Sequence, residues 1–188
     1  MRMCKILGIL FLIVVGISAQ NLDLREIEDL LSKDSIVRAT FVQTKEMKSL
    51  ENPLVSTGKL LVVRDIGIIW LMETPTQMKK FIPLVEEDMT KSEHSMIAPF
   101  FTGMFSALEK RFFTELTKQE HSWSLTIIPK SSALKRRLQS ISIKSKYDNK
   151  FQEVIILSSD GNSLTILFTS EIPTAQILTK DEEKLFEK

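Results

Sequence analysis

Cysteine is almost absent from this chain. Of 188 residues only Cys4 is a cysteine, and it lies ahead of the first apolar run. It cannot be the acylated cysteine of a lipoprotein signal, because that residue stands at the cleavage point. Without the leader that the sequence predicts below, no thiol remains for a disulfide, a thiolate nucleophile or a cysteine-type zinc site.

Patterns typical of enzymes are also missing. The two histidines are His94, in a polar stretch, and His121, at the start of a predicted strand. His94 stands beside Glu93 and Ser95, but adjacent loop residues rarely meet as nucleophile and base, and no G-x-S-x-G turn accompanies them. The sequence contains neither a metal-ligand spacing nor a glycine-rich phosphate loop. We therefore expect no enzyme, no metal and no cofactor, with an exported hydrolase as the most distant alternative.

An excess of charge of either sign is missing too. Taking Arg2 and Lys5 from the 25 basic residues leaves 23 against 24 acidic residues. Such a balance argues against a nucleic-acid partner.

The single long apolar run, Ile6–Val15, is too short to span a membrane comfortably. It follows two basic residues and ends in small ones, with Ile17 and Ala19 at the −3 and −1 positions of a cleavage site. This pattern predicts a secretory signal peptide over residues 1–19. The remaining residues, 20–188, suit one domain with a substantial core.

What the chain has in abundance is strands that are apolar on both sides. Residues 36–75 read as three antiparallel strands, with turns near Glu51–Pro53 and Arg64–Gly67. The first strand alternates between apolar and polar residues, whereas the next two carry apolar residues on both faces. An antiparallel sheet usually has one wetted face, so these strands need a second cover or an apolar guest.

The rest of the chain predicts a mainly β fold. An amphipathic helix is expected over residues 21–32, a polar loop over 86–95, and a short helix or frayed end over 179–188. Further strands are predicted at residues 78–85, 113–117, 121–128, 138–147, 151–158 and 163–169. The expected architecture is an antiparallel sheet wrapped around helices, and the sequence leaves open whether the barrel closes.

One predicted helix is rich in methionine and phenylalanine. Its apolar residues follow the i, i+3, i+4 rhythm: Met96, Ile97, Phe100, Phe101, Met104, Phe105 and Leu108. On periodicity alone this Met/Phe helix is an ordinary core helix. Unbranched Met and flat Phe also make an adaptable surface, so the helix could instead open as a lid over an acyl chain.

A basic stretch runs from Lys130 to Lys150 and includes Lys135, Arg136 and Arg137. These three side chains could dock an acidic partner or an anionic lipid surface. The simpler interpretation is a solvated face.

Several short motifs follow one another along the chain. Their residues are Phe41, Gln43 and Lys45; Gly58 and Leu60; Arg64, Trp70 and Pro75; Trp123, Leu125, Pro129 and Lys130; Ile141 and Ile143; and Asp160 and Gly161. The order and spacing of these motifs resemble the periplasmic outer-membrane lipoprotein carriers, the LolA family, and Pro53–Leu60 and Gly67–Trp70 are similar to a shorter branch of it.

The resemblance implies an incomplete antiparallel β-barrel with helices covering its concave face, located in the periplasm. It implies a carrier that receives acylated lipoprotein from an inner-membrane transporter and passes it to an outer-membrane receptor. By its spacing to Trp70, Arg64 corresponds to an arginine that hydrogen-bonds the helical lid, and Ile68 and Trp70 would line the pocket. Asp65 stands where better-known carriers have proline, and could engage Arg64 itself.

The function predicted from these observations is a monomeric carrier that shields the acyl chains of lipoproteins, or another acyl lipid, in an apolar cavity. Arg64 would latch the lid. The alternative is a β-rich interaction module of the cell envelope with a solid core and no lipid ligand. The expected lining is Phe41, Leu60, Val62, Ile68, Trp70, Ile97, Phe100, Phe101, Met104 and Phe105.

Overall fold

The computed structural model describes residues 24–31, 34–83, 93–102, 105–146, 150–171 and 176–187. The predicted signal peptide lies outside them. The described residues form five helices: α1 (Leu24–Leu31), α2 (Glu93–Thr102), α3 (Phe105–Arg111), α4 (Ser132–Lys135) and α5 (Lys180–Phe186). They also form nine strands: β1 (Ile36–Glu46), β2 (Leu54–Val63), β3 (Gly67–Thr74), β4 (Met78–Pro83), β5 (Phe112–Gln119), β6 (Ser122–Pro129), β7 (Leu138–Lys146), β8 (Lys150–Ser158) and β9 (Ser163–Glu171).

All nine strands belong to one antiparallel sheet, in the order β4-β3-β2-β1-β9-β8-β7-β6-β5. Strand β1 lies in the interior of the sheet, where it pairs with β2 on one side and with β9, the last strand in the chain, on the other. Among the described residues β4 and β5 do not pair, so the sheet stays open at that seam. The predicted mainly β fold, with an unclosed antiparallel barrel, is confirmed.

One face of the sheet carries the main core. Residues from all nine strands and from α1, α2 and α3 contribute to a single apolar cluster, which we call the inner cluster. Strand β1 shows the period-2 rule, since Ala39 and Phe41 enter the inner cluster while Arg38 faces the other side. The sheet therefore wraps its inner face around three short helices.

The opposite face of β1–β3 is covered by the end of the chain. Ile36, Leu61, Val63 and Ile69 form an outer cluster, against which Leu71, Leu178, Leu185 and Phe186 pack. Residues 176–187, which we call the C-terminal strap, supply the last three of these side chains. The apolar residues on both sides of β2 and β3 thus have a second cover within the chain itself, and on the outer face no guest is needed.

The helix expected over residues 96–108 is divided in the structure. Helix α2 begins at Glu93, inside the predicted polar loop, and α3 begins at Phe105. Pro99 lies in the interior of α2 rather than in its first turn, where its missing N–H removes one internal hydrogen bond. The predicted lid is therefore two short helices, α2 and α3.

Candidate functional site

The inner cluster contains every predicted lining residue whose side chain the structure describes. From the sheet these are Phe41, Leu60, Val62, Ile68 and Trp70, and from α2 they are Ile97, Phe100 and Phe101. None of the eight is more than 4% exposed. Met104 and the side chain of Phe105 lie outside the described residues. In this conformation the lid therefore rests directly on the sheet, and a guest could enter only if α2 and α3 moved outward.

An aromatic pair crosses the middle of the inner face. The rings of Phe41 on β1 and Trp70 on β3 lie with centroids 4.3 Å apart, although β2 runs between their strands. Gly58 on β2 makes this possible: it pairs with Phe41, and a Cβ at Gly58 would lie 2.7 Å from the end of that ring and against the Leu71 carbonyl oxygen. The glycine thus lets Phe41 lean across β2 towards Trp70.

The lid contacts the sheet through aromatic rings as well. Phe101 of α2 meets Phe168 of β9 edge to face, with ring centroids 5.5 Å apart. The sequence-based lining omitted Phe168, and it also omitted the half of the inner face that β6–β9 provide. The alternation of Trp123, Leu125 and Ile127 was visible in the sequence, and it was the signal that could have added β6 to the lining.

Arg64 lies just after β2, where the chain turns towards β3. Its guanidinium donates to the backbone carbonyl of Asp34, with 2.9 Å between nitrogen and oxygen, and its backbone N–H donates to the Ser35 carbonyl. Both acceptors lie between α1 and β1. Arg64 therefore holds the connection that follows α1, and α1 itself lies against α2 and α3.

The three predicted docking residues lie together at one end of the sheet. Lys135 ends the short helix α4, and Arg136 and Arg137 lead from it into β7; all three side chains are exposed. The two arginines also line a cavity of about 300 Å³. Further along the basic stretch, Lys144 is paired with Glu153 of β8 at 2.7 Å.

The side chains that the structure describes in the inner cluster are apolar. The part of the chain that the structure describes holds no cluster of three or more His, Cys, Asp or Glu residues suited to a metal ion. His121 is exposed in the turn before β6, and the side chain of His94 lies outside the described residues. Of the helices that are described, none has the length and apolar character to cross a membrane.

A bidentate ion pair lies on the outer face of the sheet. Arg38 donates from Nε and from a terminal nitrogen to the two carboxylate oxygens of Glu182 in the C-terminal strap, at 2.6 and 2.8 Å. Hydrogen bonding from Arg38 lowers the pKa of Glu182 to about 2, although partial burial opposes the shift. This ion pair fastens the strap across β1.

Neither a family model nor a curated protein matches the sequence. Among solved structures, the fold is similar to a LolA superfamily protein from Nitrosomonas europaea, at 8% identity and a TM-score of 0.44 over 89% of this chain and 98% of that one. It is also similar to a putative outer-membrane lipoprotein-sorting protein domain from Vibrio parahaemolyticus, at 8% identity and a TM-score of 0.44 over 87% of this chain and 97% of that one.

Proposed function

We propose that this chain is a periplasmic carrier, not an enzyme, that shields the acyl chain of a lipoprotein or of another acyl lipid and passes it on towards the outer membrane. The observation that carries the proposal is the inner face itself. An open sheet of nine strands is covered by three short helices through apolar side chains. These helices are not part of the ladder of paired strands, although α3 runs directly into β5 at Phe112.

The energetics favour long acyl chains as guests. Lifting α2 and α3 off the sheet uncovers five large buried side chains, which costs about 8–15 kcal/mol at about 1.5–3 kcal/mol each. These are Met96, Ile97, Phe100, Phe101 and Leu108. Each methylene of the guest that becomes buried returns about 0.8 kcal/mol, so about a dozen methylenes return about 10 kcal/mol. Chains shorter than about ten carbons should therefore fail to open the lid.

Quenching of tryptophan fluorescence by brominated fatty acids tests this function. Trp70 and Trp123, the two tryptophans, both belong to the inner cluster. We expect stearate brominated in mid-chain to quench Trp70 in the Trp123→Phe variant, because bromine quenches on contact and the chain would lie beside the ring. A brominated four-carbon acid is the control and should leave the emission unchanged at the same concentration. Equal quenching by the two acids would show that no chain-length-dependent site exists.

The alternative function, an envelope interaction module with a solid core, has one observation in its favour. The lining side chains fill the space between α2 and the sheet, as they would in a core that never opens. The same titration separates the two functions, because a solid core would leave both tryptophans unquenched by the long-chain acid.

Passing the cargo on requires a lid that releases it at the right moment, and we propose that Arg64 controls this step through α1. Its bond to the Asp34 carbonyl anchors the chain three residues after the end of α1, and α1 lies against α2 and α3. A receiving protein with higher affinity for the chain would then draw it onward. An inner-membrane transporter as donor and an outer-membrane receptor as acceptor complete this scheme, with no nucleic acid involved. The exposed Lys135, Arg136 and Arg137 could take part in docking.

Replacing Arg64 with leucine should speed the release of bound brominated stearate to acceptor vesicles about five- to tenfold. The reason is that one hydrogen bond from a charged, half-buried donor is worth about 1–1.5 kcal/mol. Stopped-flow recovery of tryptophan emission measures the rate. The release rate of Arg64→Lys should fall between those of the parent protein and of Arg64→Leu, since lysine keeps the charge but loses the planar donor fork. Lys59→Leu removes an exposed cation from β2 as a control, and a release rate for Arg64→Leu equal to that of the parent would exclude the latch.

A further inference from the structure

A cavity of about 300 Å³ opens at the end of the sheet where β7 begins and β8 ends. We call it the basic pocket. Its volume falls at the lower end of the range for small-molecule sites. Its lining combines two kinds of side chain that rarely share so small a space: apolar residues of the inner cluster and arginines of the α4–β7 connection.

The apolar side of the basic pocket is part of the proposed carrier site. Met96 of α2, Leu138 of β7 and Ile156 of β8 line the pocket and belong to the inner cluster. Met96 is the residue of greatest interest, because it lies on the lid and has an unbranched, adaptable side chain. The basic pocket thus borders the inner cluster at Met96, beside the helix that would have to move for a guest to enter.

The polar side of the basic pocket carries two guanidinium groups and one carboxylate, so positive charge is in excess there. Arg136 and Arg137 line it. Within the part of the chain that the structure describes, neither guanidinium takes part in an ion pair or hydrogen bond. Asp160 is the acidic residue of the pocket, and its two oxygens accept from the backbone N–H and the side-chain amide of Asn162, at 3.0 and 2.7 Å. Its own turn therefore orients Asp160, and the arginines remain available to a ligand.

The backbone that presents the arginines is held in place from two sides. The Ser131 side chain accepts from the Leu134 N–H and caps α4. From the end of β8, Ser159 donates its N–H to the Arg137 carbonyl at 3.1 Å and its hydroxyl to the Lys135 carbonyl at 2.6 Å. Anchored backbone at the pocket edge lowers the entropy cost of gathering the two guanidinium groups around a ligand.

We propose that the basic pocket binds the anionic head group, a phosphate or a carboxylate, of an acyl lipid whose chain passes Met96 into the space under the lid. The proposal rests on the proposed carrier function and specifies its cargo class as an anionic rather than a neutral acyl lipid. Guanidinium groups suit this role, because their planar donor fork matches phosphate and carboxylate oxygens in pairs. Apolar contact and ionic contact are then made by adjoining parts of one cavity, as an amphiphile requires.

Three matched probes test the head-group site on the complete mature chain. These are 1-palmitoyl-glycerol-3-phosphate, 1-palmitoyl-glycerol, which lacks only the phosphate, and glycerol-3-phosphate, which lacks only the chain. Isothermal titration should give about tenfold tighter binding for the first than for the second, since charge-assisted contacts of exposed arginines are worth modest amounts. Glycerol-3-phosphate alone should bind at least a hundredfold more weakly than the complete lipid.

Substitution tests whether the two arginines cause the tighter binding of the phosphate lipid. The double variant Arg136→Gln and Arg137→Gln should bind the phosphate lipid and the neutral lipid equally, with affinity for the neutral lipid unchanged. Lys118→Gln with Lys180→Gln is the matched control: both side chains are exposed, both lie outside the pocket, and the change in net charge is the same. This control should keep the tenfold preference, and each arginine variant alone should keep part of it.

The possible failures are distinguishable. If the parent protein binds both lipids with equal affinity, the head-group site is wrong while the carrier function stands. Binding of glycerol-3-phosphate as tight as that of the complete lipid would show a plain anion site, and this also overturns the proposal. If neither lipid binds, the carrier function fails and the head-group site fails with it. If the lysine control also loses the tenfold tighter binding of the phosphate lipid, overall charge and not the pocket causes that preference, and the head-group site is wrong.

Discussion

Replacing Trp70 with alanine should lower the free energy of unfolding by about 3–5 kcal/mol, the cost typical of deleting a large aromatic side chain from a core. Trp70 is fully buried and pairs with Leu60 of the neighbouring strand β2. Its ring lies against the ring of Phe41, with centroids 4.3 Å apart. The surrounding strands cannot collapse into the space, because they belong to one sheet. Urea unfolding followed by far-ultraviolet circular dichroism measures the loss without relying on the deleted fluorophore.

The same variant separates a carrier from a solid core. Trp70→Phe, the control, keeps most of the aromatic contact and should lose clearly less stability. Benzene should stabilise only Trp70→Ala, since an apolar void of this kind stays dry and takes small apolar guests. Palmitate, in contrast, should raise the unfolding temperature of the parent protein too, because any ligand that binds only the folded state stabilises it. Stabilisation of the variant by both ligands and of the parent by neither would mean that the substitution created the only cavity.

The inner face could be predicted from the sequence because its signal is local. Along β1–β3 the side chains alternate with period 2, so assigning Phe41, Leu60 and Trp70 to one face required only the strands themselves. The antiparallel strands were predictable for the same reason, whereas the open edge of the sheet was implied only by the family resemblance. The pairing of β1 with β9 joins residues more than 100 positions apart and leaves no local trace.

The cover of the outer face escaped prediction because its sequence is dominated by charge. Helix α5 reads KDEEKLF and has only Leu185 and Phe186 to pack, so on its own it suggests a solvated tail. What fixes it is a partner 144 residues away, since Arg38 and Glu182 meet only in the folded chain. The surplus of apolar side chains on β2 and β3 had two explanations, a second cover from the chain itself or an apolar guest. On the outer face the structure shows the cover.

The basic pocket escaped prediction because its two sides come from unrelated patterns. The arginines were noticed as part of a basic stretch and Met96 as part of an apolar helix. Their contact depends on how α2 lies across the inner face, which no spacing in the sequence encodes. The prediction that Arg136 and Arg137 meet a partner stays a prediction, now with a cavity of defined lining beside it.

Replacing Arg38 with methionine should detach the C-terminal strap and lower the free energy of unfolding by about 2–4 kcal/mol. Removing one member of a buried ion pair leaves the other charge without compensation, which costs about 3–5 kcal/mol when both are fully buried. We expect the smaller loss of about 2–4 kcal/mol here because the side chain of Glu182 is 22% exposed, and solvent weakens the interaction. Hydrogen exchange of β2 and β3, together with urea unfolding, measures the effect, since a lost strap uncovers Leu61 and Ile69.

The pH dependence of stability provides an independent test of this ion pair. Hydrogen bonding from Arg38 holds the pKa of Glu182 at about 2 in the folded chain, below its ordinary value of 4.5. Between these values the unfolded chain binds a proton that the folded chain does not, so stability rises with pH there. The contribution of Glu182 is therefore complete above about pH 4.5 and is lost as the pH falls towards 2. Glu182→Gln should flatten that part of the stability curve.

A double-mutant cycle then distinguishes the ion pair from the packing of the strap. Replacing Arg38 and Glu182 together with methionine leaves no uncompensated charge, and apolar replacements of buried pairs are often neutral. The double variant should therefore be more stable than Arg38→Met alone, and Leu61 and Ile69 should regain protection as Leu185 and Phe186 return. Asp181→Met with Lys184→Met removes an exposed pair on the same helix as a control and should change stability little. If Arg38→Met unfolds no more easily than this control, apolar packing and not the ion pair holds the strap.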